Sequence, residues 1–151
     1  MILFVIFPAI IIAVAGYNCP GGKLTSLERE QTVTQINKFR SQLANGKLKN
    51  KDRGLMPKGK NMMEMRWDCK LENSAQKWAD QCVSGHSPKN QRPGIGENVY
   101  TFRTSRSVAN FKKTLMAGES WWYELVREYK NNPSNNFTST VAGQGALHFT
   151  Q

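Results

Sequence analysis

The reactive side chains of this sequence are few. His86 and His148 are its only histidines, and Cys19, Cys69 and Cys82 its only cysteines. A neutral imidazole can ligate a divalent cation or pass a proton near neutral pH, so any histidine-based site must draw on this pair. Both stand beside turn or small residues, Gly85-His86-Ser87 and Gly145-Ala146-Leu147-His148, outside any regular helical stripe. Taken singly, each ring is explained by a hydrogen bond to backbone. There is no His-Glu-x-x-His and no Cys-x-x-Cys, so composition alone supplies no metal motif. A Gly-x-Ser-x-Gly nucleophile turn is also missing. Ser87 adjoins His86, but adjacency in sequence does not put a serine within reach of its base. Three cysteines allow one bridge at most and leave an odd thiol; Cys19 can pair with Cys69, with Cys82 or with neither.

The elements that must position these residues can be read from period and punctuation. Thr25-Ser26-Leu27-Glu28 has the spacing of a capping box. Val33, Ile36, Phe39, Arg40 and Leu43 follow at helical intervals, which predicts a first helix from Ser26 to Ala44 stopped by Gly46. Leu71, Ala75, Trp78, Ala79 and Cys82 make a second amphipathic stripe, capped by Asp68 and ended before Gly85. Residues 84–96 read as loop and Asn98 to Phe102 as a short strand. Ser107 is the predicted cap of a third helix carrying Phe111, Leu115, Trp122, Leu125, Val126 and Tyr129, which stops at Asn131-Asn132-Pro133. Helices with at least one strand predict an α+β fold. Between the first two helices, Lys47, Lys49, Lys51, Arg53, Lys58 and Lys60 face only Asp52, a solvated basic loop open to a polyanion. Asn136-Phe137-Thr138 is an N-glycosylation sequon.

A length of 151 residues fits one domain, and 39% hydrophobic with 21% charged residues excludes wholesale disorder. Residues 1–16 carry no Lys, Arg, Asp or Glu, and Ile2 to Val14 is an apolar run closing on Ala13-Val14-Ala15. This predicts a signal peptide over 1–15 and a domain over 16–151. The run is shorter than the roughly 20 residues of a stable membrane span and is interrupted by Pro8. The formal charge is +10. Outside the cell that surplus points away from nucleic acid and toward sulfated glycans, anionic lipid or acidic proteins, and it places the cysteines where disulfides form.

Several segments then carry a family likeness: Asn37-Lys38-Phe39-Arg40-Ser41-Gln42-Leu43-Ala44-Asn45-Gly46; Met65-Arg66-Trp67-Asp68-Cys69-Lys70-Leu71-Glu72; Cys82 through Gly85-His86-Ser87; Gly96-Glu97-Asn98-Val99-Tyr100; Trp121-Trp122-Tyr123-Glu124; and His148-Phe149-Thr150-Gln151. In this order they resemble the nematode CAP proteins, the SCP/TAPS or venom-allergen-like family. The resemblance implies an α-β-α sandwich, left incomplete here because the family continues past Gln151 with strands whose cysteines would pair with residues such as Cys69 and Cys82. It also implies that the helical faces bearing Trp78, Trp121 and Trp122 lack part of their covering sheet. A cleft tetrad is implied at His86, Glu97, Glu124 and His148, with the two histidines able to hold Zn2+ or another divalent ion. A hydrogen-bonded polar cluster that knits the cleft is the equal alternative. Leu147 stands where the family places Gly, which implies a different backbone before His148.

The function implied is a secreted, non-catalytic binding or host-interaction protein, its partner a host protein, a lipid or sterol, or a sulfated glycan. Two alternatives stand beside it. One is a metal-dependent hydrolase with water activated by Glu97 or Glu124. The other is a cationic glycan- or lipid-binding module using residues 47–60 with Arg103, Arg106, Lys112 and Lys113.

Overall fold

The computed structural model describes residues 17–109 and 111–151; the signal-peptide segment 1–15 lies outside the described residues. Helix α1 runs Ser26–Ala44, as its capping box predicts. The Glu28 amide donates to Thr25 Oγ1 (3.2 Å), and the Thr25 amide donates back to Glu28 Oε2 (2.8 Å). Helix α2, Cys69–Ala79, starts on Asp68, whose Oδ1 accepts from the Lys70 and Leu71 amides. These two donors hold the Asp68 carboxyl below its ordinary value. Helix α3 spans Lys113–Arg127, and two single-turn helices, α4 (Ser139–Ala142) and α5 (Leu147–Thr150), close the chain.

Helix α3 packs on α1 and on α5. Phe39 stacks on Trp122 with centroids 5.3 Å apart, and Phe149 meets Trp122 and Tyr129 edge-on. Gly118 permits the close approach of α1 and α3: a Cβ there would stand 3.0 Å from Ile36 Cδ1 and from Gln35 Oε1. The core beneath gathers Met56, Leu125, Tyr129, Val141 and Ala146, with Leu43, Leu48 and Phe149 packed around it. Leu125 is its centre, at 1% exposed. Burying such a side chain contributes roughly 2 kcal/mol.

Helix α2 is held differently. The Cys19–Cys69 disulfide ties its first turn to the segment that precedes α1. Next to it the buried Arg29 guanidinium grips Glu72 with two hydrogen bonds, 2.7 and 2.8 Å, while Trp67 Nε1 donates to the same carboxylate. Gly22 lies so close to Arg29 Nη2 and Glu72 Oε1 that a Cβ would collide with both. The apolar stripe of α2, on the face that the resemblance implies lacks part of its cover, is largely open: Leu71 is 49% exposed and Cys82 is a free, exposed thiol. Trp78 is half-buried, its indole bonded to Gly85 O, and lines a surface groove of about 470 Å3 with Val99, Tyr100 and Phe102.

Three sequence expectations need correction. The described residues contain no strand; Asn98 to Phe102 has no ladder partner, and the single β-bridge pairs Lys49 with Leu55. The α+β reading and its sandwich are therefore not seen among the described residues, which are helical and irregular. Secondly, α3 starts six residues after Ser107, with no side-chain cap on Lys112. Ser107 Oγ caps only a turn at Ala109, and Phe111 turns away to pack on Phe102 at 5.0 Å. The helix also ends at Arg127, before the predicted stop, where Tyr129 drops into the core and gives its carbonyl to the Lys51 amide. Thirdly, Cys69, which the resemblance implies pairs with a later cysteine, is bonded to Cys19, one of the pairings the three cysteines left open.

Candidate functional site

His86 follows Gly85, which holds φ +106°, a conformation open to glycine and costly for other residues. That turn ends the α2 region and aims the imidazole at Glu97: His86 Nδ1 lies 2.8 Å from Glu97 Oε1. The Ser87 amide donates to the same oxygen (2.9 Å) and the Ser87 hydroxyl to Glu97 Oε2 (2.7 Å). Arg92 completes the nest, 3.5 Å from Glu97 while also bonded to the Ser87 and Ile95 carbonyls. Burial pushes the Glu97 carboxyl up, but the Ser87 hydroxyl and amide, His86 and Arg92 together outweigh it and hold the group below its ordinary value.

His148 is placed by the packed body. Glu124 is buried on α3, and its Oε2 accepts from the His148 and Phe149 amides at 3.0 and 3.2 Å. Those amides open helix α5, so an α3 side chain satisfies the first donors of the next helix. Glu124 Oε1 stands 2.6 Å from His148 Nδ1, and Trp121 stacks on the ring. Leu147 sits in α5 without positive φ. Positive φ falls on Gly145 instead, at +91°.

The four predicted residues thus form two His–Glu pairs; His86, Glu97 and His148 border one cleft of about 600 Å3, and the buried Glu124 stands behind His148. Asn98 crosses the cleft, its Nδ2 donating to His148 O at 3.1 Å. Gln151 reaches the same place: with its amide turned to suit its neighbours, it donates to Glu97 O (3.1 Å) and Asn98 Oδ1 (2.7 Å). In each pair the carboxylate engages Nδ1, which fixes the ring and leaves Nε2 as its free nitrogen. Two imidazole nitrogens suit an exchangeable divalent ion finished by water, not the three- or four-ligand sets of resident zinc. Among the described residues no group of three or more His, Cys, Asp or Glu is placed to hold a metal ion.

Sequence reasoning missed Ser87, Asn98 and Arg92 as the residues that fix the pairs. The sequence offers Ser87 as a neighbour of His86 and part of the Cys82 to Ser87 motif; in the structure its hydroxyl is bonded to Glu97. Asn98 could have been suspected from its place beside Glu97. The Arg29–Glu72–Trp67 cluster had a faint signal, since Arg29 lies one turn before Val33 on the inward stripe of α1. Asn136 sits in an exposed turn ahead of α4, and Thr138 of its sequon caps that helix.

The family model described as the cysteine-rich secretory protein family, CAP, matches residues 33–151. A secreted protein of Ancylostoma caninum, Ancylostoma secreted protein, is 34% identical over 137 residues, covering 88% of this chain and 32% of that protein. Venom allergen 5 of Dolichovespula arenaria is 30% identical over 145 residues, 89% of this chain and 66% of its own length. The chain thus spans about a third of the first relative and about two thirds of the second. Among solved structures, BmVAL-1 superposes with a TM-score of 0.87 at 58% identity, covering 89% of this chain and 66% of that one. The crystal structure of NaASP2 with Zn2+ gives a TM-score of 0.78 at 31% identity, covering 89% of this chain and 70% of that one.

Proposed function

The chain belongs to the cysteine-rich secretory protein (CAP) family, and from that premise we propose that it is an exported binding protein. Its cleft between His86 and His148 holds a partner without turning it over. The observation that carries this reading is the mutual occupation of the cleft's polar groups. Ser87 gives its hydroxyl to Glu97, and Glu124 spends its second oxygen on two backbone amides. Glu97 holds His86 and the Ser87 turn in place, Glu124 holds His148 and the start of α5, and among the described residues lining the cleft no hydroxyl or thiol is left poised beside a base. The partner is a host protein, or a lipid or sterol, presented outside the cell. Export rests on the apolar segment 1–15, and the Asn136 turn is the position for an N-linked glycan. The mature chain is expected to begin at Gly16 when its N-terminus is sequenced after secretion; retention of Met1 would remove the export reading.

A metal-dependent hydrolase is the second reading, favoured by the free Nε2 of each histidine. A bound Zn2+ would be held by His86 and His148, with water filling the other positions, and would polarise whatever oxygen it met. Calorimetry on the refolded chain is expected to show weak zinc binding that the His86→Ala, His148→Ala double variant loses. Hydrolysis of an ester and peptide panel with zinc present is expected to stay at background. Turnover that disappears in His86→Ala and in Glu97→Ala would replace the binding reading with the hydrolytic one.

A further inference from the structure

The segment after α1 carries most of its charge in an ordered way. Residues 48–50 run antiparallel to 54–56: the Met56 amide donates to Leu48 O (2.8 Å), the Asn50 amide donates to Gly54 O (2.9 Å), and Lys49 bridges Leu55. Side chains of an extended segment alternate between faces. Here Leu48 turns to the core and Asn50 is buried, while Lys47, Lys49 and Lys51 are exposed, with Arg53 exposed at the turn. The turn is pinned from below. Asn50 Oδ1 accepts from the Gly54 amide, and its Nδ2 donates to Asn131 Oδ1 at 2.7 Å. Met56 anchors the returning segment in the core.

The one acid of this segment does not sit among the cations. Asp52 Oδ2 accepts from the Asn131 amide at 2.8 Å, which directs the carboxylate toward the end of α3. Among the described residues, Lys51 is the one cation of this segment with an acidic partner, Glu128, at a loose 3.6 Å. Cations at alternate positions of an extended strand recur about every 6.6 Å. A row of that pitch on a rigid backbone faces a linear polyanion without first having to order itself.

We propose that this hairpin, residues 47–53, is a binding edge for a sulfated glycan chain, separate from the histidine cleft. It draws on the extracellular reading only for where such a glycan would be met; binding itself can be measured on the purified protein. A sulfated polysaccharide fits better than an anionic bilayer, because the hairpin offers a line of charges with little apolar surface to insert: Leu55 is its one exposed large apolar side chain.

The test compares two charge-matched variants of the full chain on heparin: K47Q/K49Q/K51Q/R53Q, and R103Q/R106Q/K112Q/K113Q from the other basic stretch. All eight positions are exposed, and circular dichroism checks that both variants fold. The hairpin variant is expected to elute at clearly lower salt, and its plot of log affinity against log salt to flatten by about 3. The second variant is expected to change that slope by less than about 1. Wild-type binding is expected to vanish on desulfated heparin. Equal losses in the two variants would mean that net charge alone is read, and would overturn the proposal. So would stronger wild-type binding to phosphatidylserine vesicles than to heparin. Secretion failing while heparin binding persists would sink the export reading and leave the hairpin site standing.

Discussion

The two histidines of the cleft form similar pairs in unlike surroundings. His148 and Glu124 belong to the packed body, where α3 meets α1 and α5 over Leu125, Trp122 and Phe149. His86 and Glu97 belong to a limb that begins with α2 and whose apolar stripe lies largely open. That limb is fixed by a disulfide, the Arg29–Glu72 pair and a few polar ties such as Asn98 to His148. The body pair is placed by burial, and the limb pair by charge and covalent bonding. The same chemistry is therefore sensitive to different insults on its two sides.

Removing the disulfide should break the symmetry most. Closing a loop over a sequence separation of 50 stabilises a fold by about 4 kcal/mol in the chain-entropy description. In a Cys19→Ser, Cys69→Ser chain, hydrogen exchange should show α2 amides losing protection first while α3 retains its own. Simultaneous loss in both would show that limb and body are one unit. Leu125→Ala should cost somewhat less, about 3 kcal/mol in urea unfolding, and should lower protection in α3 and α2 together, because the limb hangs on the body.

Acid offers a gentler probe. Arg29 first, helped by Trp67 and working against burial, holds the Glu72 carboxyl below its ordinary 4.5; the Ser87-centred nest does the same for Glu97. A carboxyl whose folded pKa is depressed contributes its full stabilisation above the unfolded value and loses it as pH falls through the folded one. Limb protection should therefore be constant above about pH 5.5 and fall progressively below 4.5, ahead of α3. Exchange that declines equally in both regions would erase the distinction. The smallest effect is expected from Ser87→Ala, which removes one donor from Glu97 and leaves the backbone amide in place. It should cost about 1 kcal/mol and move the Glu97 carboxyl titration upward in a carbon NMR experiment. An unmoved titration would assign the nest to Arg92 and the amide alone.

The body was more legible in the sequence than the limb. Helix α1 matched its capping box and its stop, because both signals are local and the packing agrees with them. The start and cap of α2 were equally clear, while the openness of its stripe was implied by the resemblance alone, since periodicity tells which face is apolar and not whether anything covers it. The α3 start was misread because Ser107 is a competent cap whose helix was lost to a long-range contact, Phe111 on Phe102. The four site residues came from motif resemblance. What the sequence could not carry was the division of labour around them: Ser87, Arg92 and Asn98 act through distances that only the folded loops create.

One consequence of Glu124 reaches beyond this molecule. Its carboxylate receives the first amides of the helix that bears His148, as well as the ring itself. Architecture and cleft thus share a single side chain, so replacing the acid would unseat the histidine by undoing its scaffold, whatever the cleft is for. Persistence of such a pair through descent would be explained by folding alone. Its presence in a relative would testify to inheritance of a shape, and a shared reaction would need separate proof.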